Sequence, residues 1–348
     1  MIGSPKGLPH SIAVAAHNVA VAGHNIAVAQ RFSAAYRQDG ARYCRQRLPS
    51  GVHRAIMGPE LEKRIARLAA DHESGASEIL AEVIGILRDV LATGADVTAT
   101  AQAICRAQPM MAPVWNAAIA ALASRDRPER FMRFAERVKR APDALARFAI
   151  EHFREGAPLL QIATISYSGT VVDVVGALAR VRPVRVACSE SRPALEGRKL
   201  AARLAALGVP VTFYSDAAIG HALGAVDAVL VGADAVAPTF FLNKSGTRML
   251  AAAASTKAVP FYVVASRDKF INHAIARLLQ GGEGDPAEVW GDAPAGVTVR
   301  NPYFEWTPLD LTASVITDVG VLGAGSVPDL CNTESAEVSE SVMQIFSQ

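Results

Sequence analysis

Cysteine is scarce in this 348-residue chain: Cys44, Cys105, Cys188 and Cys331 are the only four, and no two of them form a CxxC or Cys/His pair at metal-ligand spacing. That argues against a disulfide framework and against structural zinc, and it fits a reducing, cytoplasmic compartment. Charge of one sign is also lacking. Thirty-five Lys and Arg stand against 33 Asp and Glu, a formal net charge of +2, so nothing here recruits nucleic acid directly. No apolar run approaches the roughly 20 residues that span a bilayer, and no membrane association is expected. GxGxxG and GxxxxGK[ST] loops are both absent, which removes support for dinucleotide binding and for nucleotide hydrolysis. A GxSxG elbow is missing as well, so Ser166, His221 and Asp234 carry no hydrolase signature. No cofactor and no metal are expected.

A hydrophobic content of 51% with 20% charged residues describes a well-packed globular chain, long enough for two domains. Four segments are expected: a low-complexity or disordered leader over 1–53, a helical domain over 54–155, a Rossmann-like pocket domain over 156–327 and a tail over 328–348. Three imperfect heptapeptide copies begin at His10, His17 and His24; duplication explains their spacing as well as a metal site does. Up to Arg54 the only acidic residue is Asp39, as in a transit peptide, and Met57 offers an alternative start.

From Glu60 the apolar residues recur at three- and four-residue spacing: Leu61, Ile65 and Leu68, then Ile79, Leu80, Val83, Ile84 and Leu87. Gly94 predicts a helix stop and Asp96 a new start, Pro109 and Pro113 interrupt it, and Phe131, Phe134 and Val138 turn inward from a basic segment. After Gly156 the pattern switches to short β-branched runs at 159–165, 184–189, 211–215, 228–233 and 261–266. Helical stretches alternate with them, which predicts βαβ units, a doubly wound parallel sheet and a ligand crevice at the carboxyl ends of the strands.

Polar residues end each of these strands. Ser166, Ser168 and Gly169 precede a helix start, where hydroxyls and amides suit an anion, though Ser168 serves equally as an ordinary cap. Asp234 follows an apolar strand, where burial raises a carboxyl toward general-acid use; a structural salt bridge is the other reading. Asn243 and Lys244 are expected to enter the next helix as an amide and an ammonium for a phosphate. Arg192 either clamps a phosphate or pairs with Glu190.

These motifs in this order, SESRPALEGRKLA (189–201), VDAVLVGADAV (226–236), NKSGT (243–247) and VRNPYFEWTPLDLTASVITDVG (299–320), with RAQPMMAPVWN (106–116) before them, carry a resemblance. The chain resembles the superfamily that joins the alpha, beta and delta subunits of eukaryotic translation initiation factor 2B with methylthioribose-1-phosphate and ribose-1,5-bisphosphate isomerases. The resemblance implies a helical N-terminal domain, a Rossmann-like C-terminal domain and a homodimer or larger homo-oligomer. It also implies a phosphorylated sugar or nucleotide as ligand, with Asp234 as acid/base, Asn243 and Lys244 on the substrate, and Lys269 as a further substrate lysine. Ser166 stands where the isomerases carry cysteine. Ser74 and Gln108 stand where they carry arginines, and two such cations are worth about 1.5–3 kcal/mol each to phosphate binding. The expected function is therefore a ligand-binding regulatory or assembly member; the alternative is an aldose–ketose isomerase acting on a ribose-1-phosphate-type substrate.

Overall fold

Amphipathic spacing between Glu60 and Val138 becomes five helices in the computed structural model, which describes residues 58–71, 74–279, 283–335 and 340–346. The leader expected over 1–53, with its three histidine-bearing repeats, and Met57 lie outside the described residues. Helix α1 spans Pro59–Ala70, α2 Ala76–Thr93, α3 Val97–Ala107, α4 Ala112–Leu122 and α5 Pro128–His152. Gly94 takes the left-handed conformation that closes α2. The Asp96 carboxylate accepts from the amides of Thr98 and Ala99 to open α3. Pro113 falls in the first turn of α4, where its missing N–H costs nothing, so it starts a helix rather than breaking one. Leu68, Ile79, Leu80, Val83, Leu87 and Phe131 form the core of this layer.

Beyond it the alternating elements are β1 (Leu160–Thr164), α6 (Gly169–Ala179), β2 (Val184–Ser189), α7 (Glu196–Ala206), β3 (Val211–Tyr214), β4 (Ala228–Val231), β5 (Ala235–Val236), β6 (Phe240–Lys244), α8 (Thr247–Thr256) and β7 (Phe261–Val264). Short helices α9 (His273–Ala276) and α10 (Ala287–Trp290) precede β8 (Phe304–Pro308), β9 (Ser314–Thr317) and β10 (Gly320–Leu322), and α11 (Val327–Glu334) and α12 (Glu340–Phe346) end the chain. The main sheet has the order β10-β9-β7-β4-β1-β2-β3. Every neighbouring pair in it is parallel except the β10 edge. This is the expected α/β architecture: a helical N-terminal layer followed by a doubly wound, mostly parallel sheet.

Three features depart from the sequence expectation. The sheet gains β9, from within the 299–320 segment, and β10, which begins at its last residue. The stretch expected as a helix over 217–223 is a 3₁₀ turn, Asp216–Gly224. Asn243 and Lys244 do not enter a helix; they end strand β6, the centre of a separate antiparallel sheet β5-β6-β8 in which Asn243 faces Glu305 and Lys244 faces Phe304. Among the described residues no helix is long and apolar enough to cross a membrane.

Candidate active site

The strand order reverses at β1 and β4: the chain winds outward from β1 to β2 and β3, then returns to β4 on the other side. Loops leaving two strands at such a switch point diverge to opposite faces and leave a crevice. Ser166 to Gly169 leave β1 there and Ala233 and Asp234 leave β4, and both loops line a cavity of about 440 Å³. Its remaining walls come from the loop before α2, the start of α4, the end of β6 and the segment 283–304.

The loops are locked together by local chemistry. Ser166 is held at φ 62°, a strained position for a residue with a Cβ, and its N–H donates to Ser191 Oγ at 2.7 Å. The amides of Ser191 and Arg192 in turn donate to the two carboxylate oxygens of Asp216. Ser168 Oγ accepts from the Val171 amide and so caps α6, while Ser168 and Gly169 still line the cavity. Gly232 is required at the end of β4, since a Cβ there would meet Ser168 Cβ at 2.8 Å.

Asp234 is partly buried. Its N–H donates to Leu242 O and its carbonyl accepts from the Ala112 amide of α4, so the helical layer and the small sheet both fix it. Burial pushes its carboxyl up to about 6, against the pull of Lys269 and Lys244 and with a further push from Glu196. Lys244 is 3% exposed; its Nζ donates to Glu196 Oε1 at 2.6 Å and lies 4.3 Å from the centre of the Tyr303 ring. Lys269, also 3% exposed, ends the 3₁₀ turn Arg267–Lys269, which Asn116 of α4 braces by donating to the carbonyls of Asp268 and Phe270. Burial depresses the Lys269 amine, while Asp268 and Asp234 oppose that effect. Among the described residues its ammonium makes no hydrogen bond or ion pair.

Of the residues read from sequence, Ser166, Ser168, Gly169, Asp234, Asn243, Lys244 and Lys269 all line this cavity. Glu190 and Arg192 are not in its wall; the Arg192 side chain is exposed, and no ion pair joins the two. His221 is likewise exposed and away from it. Asn243 reaches the cavity with its amide donating to Thr247 Oγ1. Gln108 spends its amide on the carbonyls of Leu68 and Asp71, closing a corner of the helical layer. No thiol lines the cavity among the described residues, and burial pushes Cys188 up to about 11. Sequence reading missed Glu196 and Tyr303. Glu196 sits inside the 189–201 motif immediately before Gly197, and that position was its only signal.

Residues 63–324 match the family described as the initiation factor 2 subunit family. The chain belongs to that family. Within it, this initiation factor 2 subunit family protein is 36% identical over 195 residues to methylthioribose-1-phosphate isomerase of Pelotomaculum thermopropionicum, a match covering 51% of the chain and 53% of the relative. It is 30% identical over 198 residues to ribose 1,5-bisphosphate isomerase of Methanocaldococcus jannaschii, covering 56% and 64%. The matches thus span between half and two thirds of those relatives' lengths. The solved structure of translation initiation factor eIF-2B from Pyrococcus horikoshii has the same fold, with a TM-score of 0.63 at 24% identity over 77% of this chain and 98% of that one.

Proposed function

We propose that the cavity binds a phosphorylated sugar and that Asp234 interconverts its aldose and ketose forms. The observation that carries this reading is a partly buried carboxyl, tuned to about 6 and facing Lys269 and Lys244. Turning a cyclic aldose 1-phosphate into a ketose breaks the bond from C1 to the ring oxygen and moves hydrogen from C2 to C1, while the ring oxygen gains a proton and the C2 hydroxyl loses one. A carboxyl poised near neutrality serves both proton steps, because it populates acid and base forms at the same pH. Lys269 supplies positive charge to the anionic ligand, and the Ser166 hydroxyl and the α6 amides lie on the same wall. The named activities of the two relatives support the same chemistry.

A second reading, in which the ligand regulates or assembles the protein without being turned over, is favoured by Ser166. Its hydroxyl occupies the loop where a thiol would be the more acidic partner, and among the described residues no hydrogen bond joins that hydroxyl to a base. Under this reading the working species is a homodimer or larger assembly.

Both are tested by incubating the full chain with ribose 1-phosphate and following ketose carbons by NMR. Ketose formation that disappears in Asp234→Asn, with ligand binding retained, supports the isomerase. Binding without ketose supports the regulatory reading. Failure of any pentose phosphate to bind sinks both.

A further inference from the structure

Lys269 closes the 3₁₀ turn Arg267–Lys269, and the first residue of that turn belongs to a different cluster of charge. The turn is tight: the Lys269 amide donates to Ser266 O and the Phe270 amide to Arg267 O, each at 3.0 Å. Lys269 lines the strand-end cavity, whereas Arg267 lines a separate hollow of about 350 Å³ with Arg137 and Asp318. The Asp318 carboxylate accepts from the Arg267 amide at 2.8 Å and from its Nε at 2.9 Å. One carboxylate therefore fixes the backbone and the side chain of the same residue. The Glu334 carboxylate, at the end of α11, pairs with Arg137 of α5 at 2.9 Å and with Arg267 at 3.9 Å. The turn that presents Asp318 is itself closed by Thr317, whose hydroxyl donates to Gly320 O and accepts from the Val319 amide.

Burying these carboxylates is costly. The side chain of Asp318 is 3% exposed and that of Glu334 6%. Burial pushes the Glu334 carboxyl up, Arg137 and Arg267 pull it down, and Asp318 and Asp268 push it further up. Apolar residues of similar volume would hold α5, α11 and the β9–β10 edge together at least as well, because desolvation offsets most of what a buried ion pair contributes. Apolar packing does not supply a fixed point. Two directed, charge-assisted hydrogen bonds set where Arg267 stands, and the three-residue turn passes that placement on to Lys269. Asn116 braces the same turn through the carbonyls of Asp268 and Phe270. Lys269 is thereby set beside Asp268 and Asp234, both of which favour its charged form against burial.

Resting on the reading of Lys269 as an amine that serves the ligand, we infer that Arg267, Asp318 and Glu334 are positioning residues for it. None of the three lines the cavity. They act through the turn that Lys269 shares with Arg267, holding the amine where the strand-end loops converge.

Competitive acylation of the full chain over a pH series, read by mass spectrometry at Lys269, tests the placement without any ligand. Asp318→Asn keeps the shape of the side chain but gives up its charge and one of its two acceptors, so the turn loosens and Lys269 gains water. The acylation midpoint of Lys269 is expected to rise by about one pH unit toward that of an ordinary lysine. Loss of an anion acting only through space moves the midpoint the other way. A merely structural role lowers the melting temperature and leaves the midpoint where it was. Either result overturns the inference. Glu334→Gln, which leaves both Asp318 bonds in place, is expected to give a smaller rise, and it carries the test if Asp318→Asn does not fold. Titration with ribose 1-phosphate is the second arm, with Kd expected to rise about tenfold in Asp318→Asn; binding as tight as in the wild type, with the midpoint moved, also overturns the inference. If the wild type binds no ribose 1-phosphate, the sugar-phosphate reading falls, while the midpoint still decides whether this network places Lys269.

Discussion

Replacing Asp234 by asparagine is expected to make the protein more stable while abolishing its chemistry. In the folded chain burial lifts this carboxyl from 3.8 to about 6. A carboxyl harder to ionise in the folded state than in the unfolded one destabilises the fold wherever it is ionised in both, that is, above about pH 6. Below 3.8 it is protonated in both states and the penalty is gone; between the two values stability is recovered as pH falls. At 1.36 kcal/mol per pH unit the gap between the two values amounts to about 2–3 kcal/mol, allowing for its partial exposure. Asparagine mimics the protonated form at every pH. In thermal denaturation at pH 7.5, Asp234→Asn is therefore expected to melt about 5 °C or more above the wild type, at roughly 2–4 °C per kcal/mol, and the difference is expected to shrink to near zero by about pH 4. A variant that melts at or below the wild type at pH 7.5, or a difference that does not change with pH, would show that the carboxyl is not held in the costly state described here.

Two further changes probe the scaffold beneath the site. Gly197→Ala places a Cβ onto the Ser189 carbonyl group, with its carbon 2.8 Å away; backbone cannot yield as a flexible side chain does, so α7 is expected to shift away from β2 and carry Glu196 off Lys244. A loss of about 3 kcal/mol in urea denaturation, together with weaker ligand binding, is the expected result; an unchanged midpoint refutes it. Asn116→Ala removes both hydrogen bonds to the carbonyls of Asp268 and Phe270. It is expected to cost about 2–4 kcal/mol and to weaken ligand binding through Lys269, which the same denaturation and titration experiments check.

Legibility in the sequence followed burial. β1, β2, β4 and β7 are covered on both faces, and strands so placed read as short continuous apolar runs; Val229, Leu230 and Val231 are 0% exposed, and the 228–233 run announced them. Asp234 was legible for the same reason, because a lone carboxylate after such a run has nowhere dry to hide. The small antiparallel sheet was not legible. β5 is two residues long, and in Phe240–Lys244 the polar pair at the end looked like a helix entry because Gly246 and Thr247 follow it. Its strand character comes from pairing with Phe304–Pro308, a contact some sixty residues away that no local pattern encodes. Glu196 and the outer wall at 283–288 were missed because helix first turns and irregular loops are ordinarily acidic. Only the fold turns those residues toward one space. Glu190 and Arg192, by contrast, looked as well placed as Glu196 in the same motif, but the turn after β2 leaves them outside the wall.

Three groups in this cavity are held in states that oppose folding: Asp234 with a raised carboxyl, Lys269 with an amine depressed by burial, and Glu196, whose second carboxylate oxygen is buried without a partner. Buried polar atoms are otherwise almost always satisfied. Besides Glu196, the buried side-chain atoms without a partner among the described residues are the hydroxyls of Thr164 and Thr307, both outside the cavity wall, and an unmet neutral hydroxyl costs far less than an unmet charge. The unpartnered carboxylate oxygen of Glu196 and the shifted groups Asp234 and Lys269 therefore share one cavity, at the strand ends where the sheet changes direction. A ligand that brings an anion to Lys269 and hydroxyl donors to Glu196 and Asp234 relieves all three at once. Relief of those costs adds to the new contacts, and this favours ligands that match the arrangement of those charges over ligands that merely fill the volume.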